Sequence, residues 1–407
     1  MIPMKVILDA DVIADFYKDN RTGIFRVTYE MFKALSENNS VETFYAHLSL
    51  FNYETSTREL DSFFDQNSIK IQAANHRDKR KFLPLRKEKL FRKLYKKFGV
   101  SNFSNTYFET FKEAQIFHSF YYPINKEIRK FPNLKNVVTI HDLIPILFPE
   151  LHFTSGFIKE IIASIGKDDY VVCVSENTKK DLLKFAPHLN PDQVFVNLLA
   201  ASKSLFYVCN DVEKFNVIKE KYNLPEKYFL SVGTLEPRKN VDFVIRNFLQ
   251  FIKENKIDDV SLVLVGAKGW DYDKIFEQYN NAEELKHKII ITGRVPDEEL
   301  ASLYSHAHSF YYMSLYEGFG LPPLEAMQCG VPTVTSNTSS LPEVVGDAGI
   351  TLDPQDNNAL QEVMLSLYQN ESLRYEYSQK GLERSRLFSW EKSAEDLIKI
   401  YEKITQD

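Results

Sequence analysis

Short β-rich runs alternate with helical patterns through the whole chain, and this predicts an α/β protein built as two successive units of parallel sheet and helix. Length agrees: 407 residues exceed one average domain and suit two of about 200 residues each. The turns after several strands also gather charged residues, histidines and glycines, as expected where parallel sheets bind ligands beyond the carboxyl ends of their strands.

In the first half the predicted strands are Lys5–Asp9, Val41–Ala46, Val137–Ile140, Tyr170–Val174 and Gln193–Leu198. In the second half they are Tyr228–Val232, Val260–Val265, Ile289–Thr292, Ser309–Met313 and Thr333–Thr335. Helices of ordinary length fit between many of them, so each strand can return beside its predecessor through a crossover. The polar stretch from about Ser202 to Lys227, with Pro225, reads as the linker, and Asn370–Asp407 as two helical patterns broken near Phe388. The expected division is a first domain over residues 1–204, a second over 205–387, and a terminal helix at about 388–407.

A hydrophobic content of 44%, with 16 prolines and 14 glycines, describes an ordinary globular chain. The net charge of −6 is unevenly spread. Residues 1–200 hold 28 Lys/Arg and 24 Asp/Glu, whereas residues 201–407 hold 22 and 32. The basic excess lies between Arg77 and Lys97, which argues for a local basic surface and against general nucleic-acid binding. Within residues 82–98, Leu90, Phe91, Leu94 and Phe98 alternate with Lys89, Arg92, Lys93, Lys96 and Lys97 in the manner of a basic amphipathic helix. Such a helix either contacts an anionic membrane or packs on a core with its cations solvated. Cys173, Cys209 and Cys329 are far apart, with no metal-type Cys/His spacing, so neither a disulfide framework nor a zinc site is expected and a reducing cytoplasm fits. The N-terminal apolar run is too short for a signal peptide, and no stretch of about 20 apolar residues could span a bilayer.

The richest stretch is Tyr316–Pro332, YEGFGLPPLEAMQCGVP. A β run precedes it, Gly318 and Gly320 form a turn, and Pro322 and Pro323 suit a first helical turn. Free N–H groups and the positive helix end would face an anion, while Glu317 and Glu325 offer acceptors for sugar hydroxyls. At the other strand turn, after Gly233, Arg238 and Lys239 are cations where a helix dipole would not favour them, so a diphosphate is a better explanation than structure. A pair of glutamates also suggests a glycosidase, but that leaves the phosphate-type turn and the two cations without a purpose.

In the first half, His141 and Asp142 follow an apolar strand and are placed for a cleft. His118 follows another short apolar run. Gly23 stands at the mouth of an amphipathic helix, where backbone can approach a ligand, with Arg21 and Thr22 beside it.

Taken together, Gly233–Asn240 (GTLEPRKN), Gly293–Asp297 (GRVPD), Glu317 and Glu325, Leu341–Gly346 (LPEVVG), Arg21–Ile24 (RTGI), His141–Asp142 and Val174–Thr178 (VSENT) resemble the retaining nucleotide-sugar glycosyltransferases of family four. The resemblance implies the GT-B fold: two Rossmann-like domains facing a cleft, with the C-terminal helix crossing back to the first. It implies that Arg238 and Lys239 hold the donor diphosphate, Glu325 the ribose and Glu317 the transferred sugar. The backbone of Gly318, Phe319, Gly320 and Leu321 would complete the site, with His141 by the sugar. Gly23 and Gly233 would lie near the diphosphate and Arg294 near the base. Arg21, Thr22, His118 and Asp142 are the acceptor-side candidates. No metal or other cofactor is expected. The implied partners are a nucleotide-sugar donor and a glycan or lipid-linked acceptor, with mannose and surface polysaccharide suggested by TIHDLIP and the following FPE. A sugar-nucleotide epimerase, a phosphorylase and a non-catalytic sugar-nucleotide-binding protein are the competing readings. One departure stands out: NLLAASKSLF closes the first domain where relatives carry a glycine and an acid.

Overall fold

The computed structural model describes residues 2–17, 22–48, 55–77, 106–151, 155–269 and 273–406. Arg21 and the basic run at residues 82–98 lie outside the described residues.

Two parallel sheets form, one in each half. The first runs in the order β3 (Gln72–Ala73), β2 (Val41–Ala46), β1 (Met4–Asp9), β6 (Ile116–Ser119), β7 (Lys135–Ile140), β8 (Tyr170–Cys173) and β9 (Val194–Val196). β4 (Asn75–His76) and β5 (Thr106–Tyr107) pair separately and antiparallel. The second sheet runs β12 (Ile289–Gly293), β11 (Ser261–Val265), β10 (Tyr228–Val232), β13 (Ser309–Tyr312), β14 (Thr333–Ser336) and β15 (Ile350–Leu352). In both sheets the strand order reverses beside the first strand, which leaves a crevice at the carboxyl ends of neighbouring strands.

The central strands are mostly apolar because helices cover both faces of a parallel sheet. β11, SLVLV, is buried at every position. The Val241–Glu254 helix supplies Phe248 and Phe251 against Phe229 of β10, in ring contacts of 5.9 and 5.7 Å. The five β runs that sequence reading did not place, β3, β4, β5, β6 and β15, are two to four residues long, too short to show an alternation of their own. The linker also holds more structure than its polarity suggests, a helix over Val212–Tyr222 capped by Asp211.

The Trp390–Gln406 helix crosses back to the first domain. It buries Leu397, Ile398, Tyr401 and Ile404, and the Tyr401 hydroxyl meets His118 Nδ1 at 2.5 Å. At the same joint, Ser393 donates to the Leu198 carbonyl at 2.7 Å and accepts from Asn197 at 3.1 Å. The NLLAASKSLF segment is thus bound by the terminal helix. The joint is held in this way where the family resemblance implies a glycine and an acid.

Leu397 is fully buried in this seam. Leu397→Ala is expected to lower stability by about 2–5 kcal/mol, read as a reduced urea midpoint with an unchanged slope.

Candidate functional site

The two sheets present their strand ends to one cleft, and the loop after β13 lies at its centre. Glu317 is 8% exposed. Its Oε1 receives Lys239 Nζ at 2.7 Å, Arg238 Nη1 at 2.8 Å, Tyr312 OH at 2.9 Å and Ser314 Oγ at 2.5 Å. Arg238 is fixed further by Glu236 at 2.6 Å and the Tyr316 carbonyl at 2.7 Å. Lys239 also bonds Tyr312 OH. Burial alone would raise the Glu317 carboxyl, but Arg238 and then Lys239 outweigh it and hold it at about 2. Arg238 dominates because a guanidinium keeps its proton, whereas burial and the adjacent Arg238 push Lys239 down. The cations are therefore not two solvated charges at a helix start. A 3-10 turn at Pro237–Lys239 and a left-handed Asn240, whose amide reaches Met313 and Pro354 carbonyls, turn them inward.

The loop itself is braced from below. Ser339 accepts from the Glu317 N–H, and Ser340 donates to the Phe319 carbonyl. The N–H groups of Gly318, Phe319, Gly320 and Leu321 have no protein acceptor among the described residues. Pro322 and Pro323 have no N–H to offer, so the anion-binding capacity lies in these four amides, which end at the first residue of the Leu321–Gln328 helix. Two glycines are required here. Gly320 has φ +121°, and a Cβ on it would come 2.8 Å from Leu341. A Cβ on Gly318 would come 2.0 Å from the His141 carbonyl oxygen of the other domain.

That contact places His141 directly across from the loop. Its Nε2 lies 2.8 Å from the Phe120 carbonyl, which can only accept, so Nε2 carries the proton and Nδ1 is left as an acceptor. Burial pushes its pKa down, so the ring is neutral near pH 7. The two domains are tied at the same level. Ser175 donates to the Gly318 carbonyl at 2.7 Å, and the Glu343 carboxylate accepts from the N–H groups of Glu176 and Asn177 at 2.9 and 2.7 Å. The VSENT and LPEVVG stretches therefore meet as one interface: a carboxylate from the second domain caps a helix of the first.

Glu325 is 5% exposed and faces the first domain through a residue that sequence reading missed. Arg26, three residues beyond Gly23, donates to Glu325 Oε1 at 3.1 Å and to Asp297 at 2.9 Å, while Tyr304 OH donates to Glu325 Oε2 at 3.1 Å. Burial raises the Glu325 carboxyl, and Arg26 opposes this without cancelling it. Arg26 was discoverable as the cation one helical turn past the Gly23 turn, but nothing in its spacing named a partner 299 positions away.

The remaining candidates divide. Gly23 opens the helix Gly23–Glu37, with nothing within 4 Å of a Cβ built on it, and the Thr22 hydroxyl caps that helix at the Phe25 N–H. Gly233 ends β10 beside Tyr312 and Lys239, and Arg294 follows β12 as an exposed side chain. Phe319 turns its ring inward against Phe388, leaving only its backbone for a ligand. Asp142 accepts from the Ile144 N–H at 2.9 Å. His118 requires a correction. It is fully buried in β6, bonds Tyr401 and Thr139, stacks on Phe120 at 4.2 Å, and burial pushes its pKa down to about 3. It is a core residue that docks the terminal helix and does not reach the cleft. Among the described residues, no group of three or more His, Cys, Asp or Glu side chains is disposed to hold a metal ion. No described helix is long and apolar enough to cross a membrane.

Comparison with known proteins agrees with this geometry. Residues 213–384 match the family described as glycosyl transferases group 1. The chain is 31% identical to O-antigen chain mannosyltransferase B of Escherichia coli, over 98% of this chain and 99% of that one. This protein belongs to the group 1 glycosyltransferases. It is a hexosyltransferase with the GT-B arrangement of two Rossmann-like domains. Sucrose-phosphate synthase from Thermosynechococcus elongatus superposes with a TM-score of 0.69 at 20% identity, over 98% of this glycosyltransferase and 99% of that chain. HepE from Anabaena, solved with UDP and glucose, gives 0.67 at 14% identity, over 97% and 98%.

Because the Glu317 carboxyl is lower in the folded chain than its ordinary 4.5, its stabilising contribution is present above pH 4.5 and is lost as pH falls towards about 2. Acid unfolding followed by circular dichroism is expected to lose much of its steepness between those values in Glu317→Gln. The same change lowers stability at pH 7 by about 3–5 kcal/mol, because Arg238 and Lys239 then lie buried beside a neutral side chain.

Proposed function

We propose that this glycosyltransferase moves a hexose, mannose in the first instance, from a nucleoside diphosphate sugar to a hydroxyl of a glycan or lipid-linked acceptor in surface-polysaccharide synthesis. The observation that carries the donor assignment is the set of four consecutive amides at Gly318–Leu321 beside Arg238 and Lys239. Backbone donors and two cations whose positions are already fixed suit a diphosphate whose charge grows as its bond to the sugar breaks. Mannose is favoured by the full-length likeness to a protein named as an O-antigen mannosyltransferase.

The sugar C1–phosphate oxygen bond breaks, and the acceptor oxygen bonds to C1 on the same face. The acceptor proton passes to the departing phosphate oxygen, so configuration is retained. Glu317 is not cast as a nucleophile, since Arg238 and Lys239 already neutralise its charge. Its role is to hold those cations and to present its second oxygen to the transferred sugar. Neutral His141 accepts a hydrogen bond from a sugar hydroxyl through Nδ1. Glu325 takes the ribose hydroxyls, for which Arg26 must share or yield Oε1. The diphosphate's charge is met by the amides and cations, without a metal. A lipid-linked acceptor would bring the protein to the inner face of the cell membrane, with residues 82–98 as the proposed contact.

Thermal-shift screening with UDP, GDP, ADP and dTDP is expected to give its largest shift with GDP, followed by turnover of GDP-mannose. A shift with another nucleotide alone would overturn the mannose reading. Replacing Arg238 and Lys239 together by Ala should lower donor turnover at least about 100-fold in protein that still unfolds cooperatively. Near-normal turnover would defeat the donor assignment.

A further inference from the structure

The Tyr316 side chain stands immediately before Glu317 and has no part in the donor reading. It belongs to the second domain but is held by the first. Its hydroxyl donates to Asp181 Oδ2 at 2.6 Å and accepts from Asn177 Nδ2 at 3.0 Å, and Asn177 Nδ2 also donates to Asp181 Oδ2 at 3.1 Å. Asn177 and Asp181 lie one turn apart on the first-domain helix Glu176–Phe185. The Tyr316 ring packs on Phe148, with centroids 4.9 Å apart. Burial and then Asp181 push the hydroxyl's pKa up to about 12, so it stays the donor of the pair. We propose that Tyr316 is a positioning residue: it carries the grip of the first domain to Arg238, so that this cation is aimed at the donor diphosphate only while the two domains are in contact. The proposal rests on the donor reading above and adds the route by which the first domain acts on that site.

The route is short. The Leu315 N–H donates to the Arg238 carbonyl at 2.8 Å, and the Tyr316 carbonyl accepts from Arg238 Nη1 at 2.7 Å. Main chain and guanidinium of Arg238 are thus both bonded to Tyr316 and the residue before it. Ser314 Oγ braces the same two carbonyls from within the second domain, at 3.1 Å to Arg238 and 3.3 Å to Tyr316. The first domain holds the other end of Tyr316, beyond its ring. The same helix end also meets the amide loop, where Ser175 and Thr178 donate to the Gly318 carbonyl at 2.7 and 3.1 Å. Loop and cation are therefore both set from one turn of the first domain.

Charge and direction have different sources. Glu317 and Glu236 lie 2.8 and 2.6 Å from the guanidinium and belong to the second domain, so they keep the cation in the site whether or not the domains meet. The Tyr316 carbonyl fixes one further edge of the planar fork, and with it the direction of the whole group. A cation that is present but poorly aimed still attracts a bound diphosphate. It does less for the charge that grows as the sugar bond breaks, where fixed direction matters most. Loss of the Tyr316 contact should therefore appear in kcat and not in donor KM.

The test measures kcat and donor KM in the full chain with the nucleotide sugar that the unmodified protein turns over fastest. Tyr316→Phe keeps the ring on Phe148 and removes the hydroxyl. It is expected to lower kcat about tenfold, with donor KM and the thermal shift by the matching nucleotide changed less than about twofold. Asp181→Ala should reproduce that loss, and Asp181→Asn, which still accepts from the hydroxyl, should restore kcat. In an Arg238→Ala background, Tyr316→Phe should cost less than about twofold, because no guanidinium remains to be aimed. Unchanged kcat in Tyr316→Phe, or an undiminished loss in the Arg238→Ala background, would overturn the proposal and leave the donor reading intact. Full turnover in Arg238→Ala alone would defeat the donor reading and this proposal with it.

Discussion

A carboxylate as buried as Glu317 stays ionised only if cations come to it, and the second half of this glycosyltransferase is arranged around that requirement. Arg238 and Lys239 belong to a different strand turn, yet both reach the same oxygen of Glu317. Removing water makes each of these contacts stronger and makes each unmet charge more costly. The cluster therefore fixes the cations before any ligand arrives. This contrasts with the exposed pairs on the surface, such as Lys392 with Asp396, which contribute at most about 1 kcal/mol.

The second constraint is the close approach of the two domains. Gly318 leaves no room for a side chain against His141, and Ser175 and Glu343 hold the backbones at that separation. Fixed amides on one side thus face a neutral imidazole on the other. Arg26 adds a further clasp between the domains, where it bridges Glu325 and Asp297. Since Glu325 is also the expected ribose acceptor, the interface and the donor share a carboxylate. On the proposed donor reading, donor binding and domain contact would be coupled through it.

Much of this was legible in residue order. The strand turns at Gly233, His141 and Tyr316 lie where alternating β and helical patterns put them, and the glycine turn before two prolines marks a backbone that must approach something closely. His118 shows where such reasoning fails. A histidine after a short apolar run looks the same whether it ends in a cleft or in the core, and here the terminal helix covers it with Tyr401. Arg26 shows the converse: an interdomain cation hidden in an ordinary amphipathic helix, whose partners lie on the other domain.

The sequence by itself determined the fold class, the two-domain plan and the family, because these depend on local periodicity and on motifs whose spacing is fixed within a single turn. Only the tertiary structure decided the charge states and pairings: that Glu317 holds both cations, that Arg26 reaches Glu325, that His141 is neutral with Nδ1 as its acceptor, and that His118 is core. Those properties depend on burial and on groups brought together from 21 to 299 positions apart, and neither is written in local sequence.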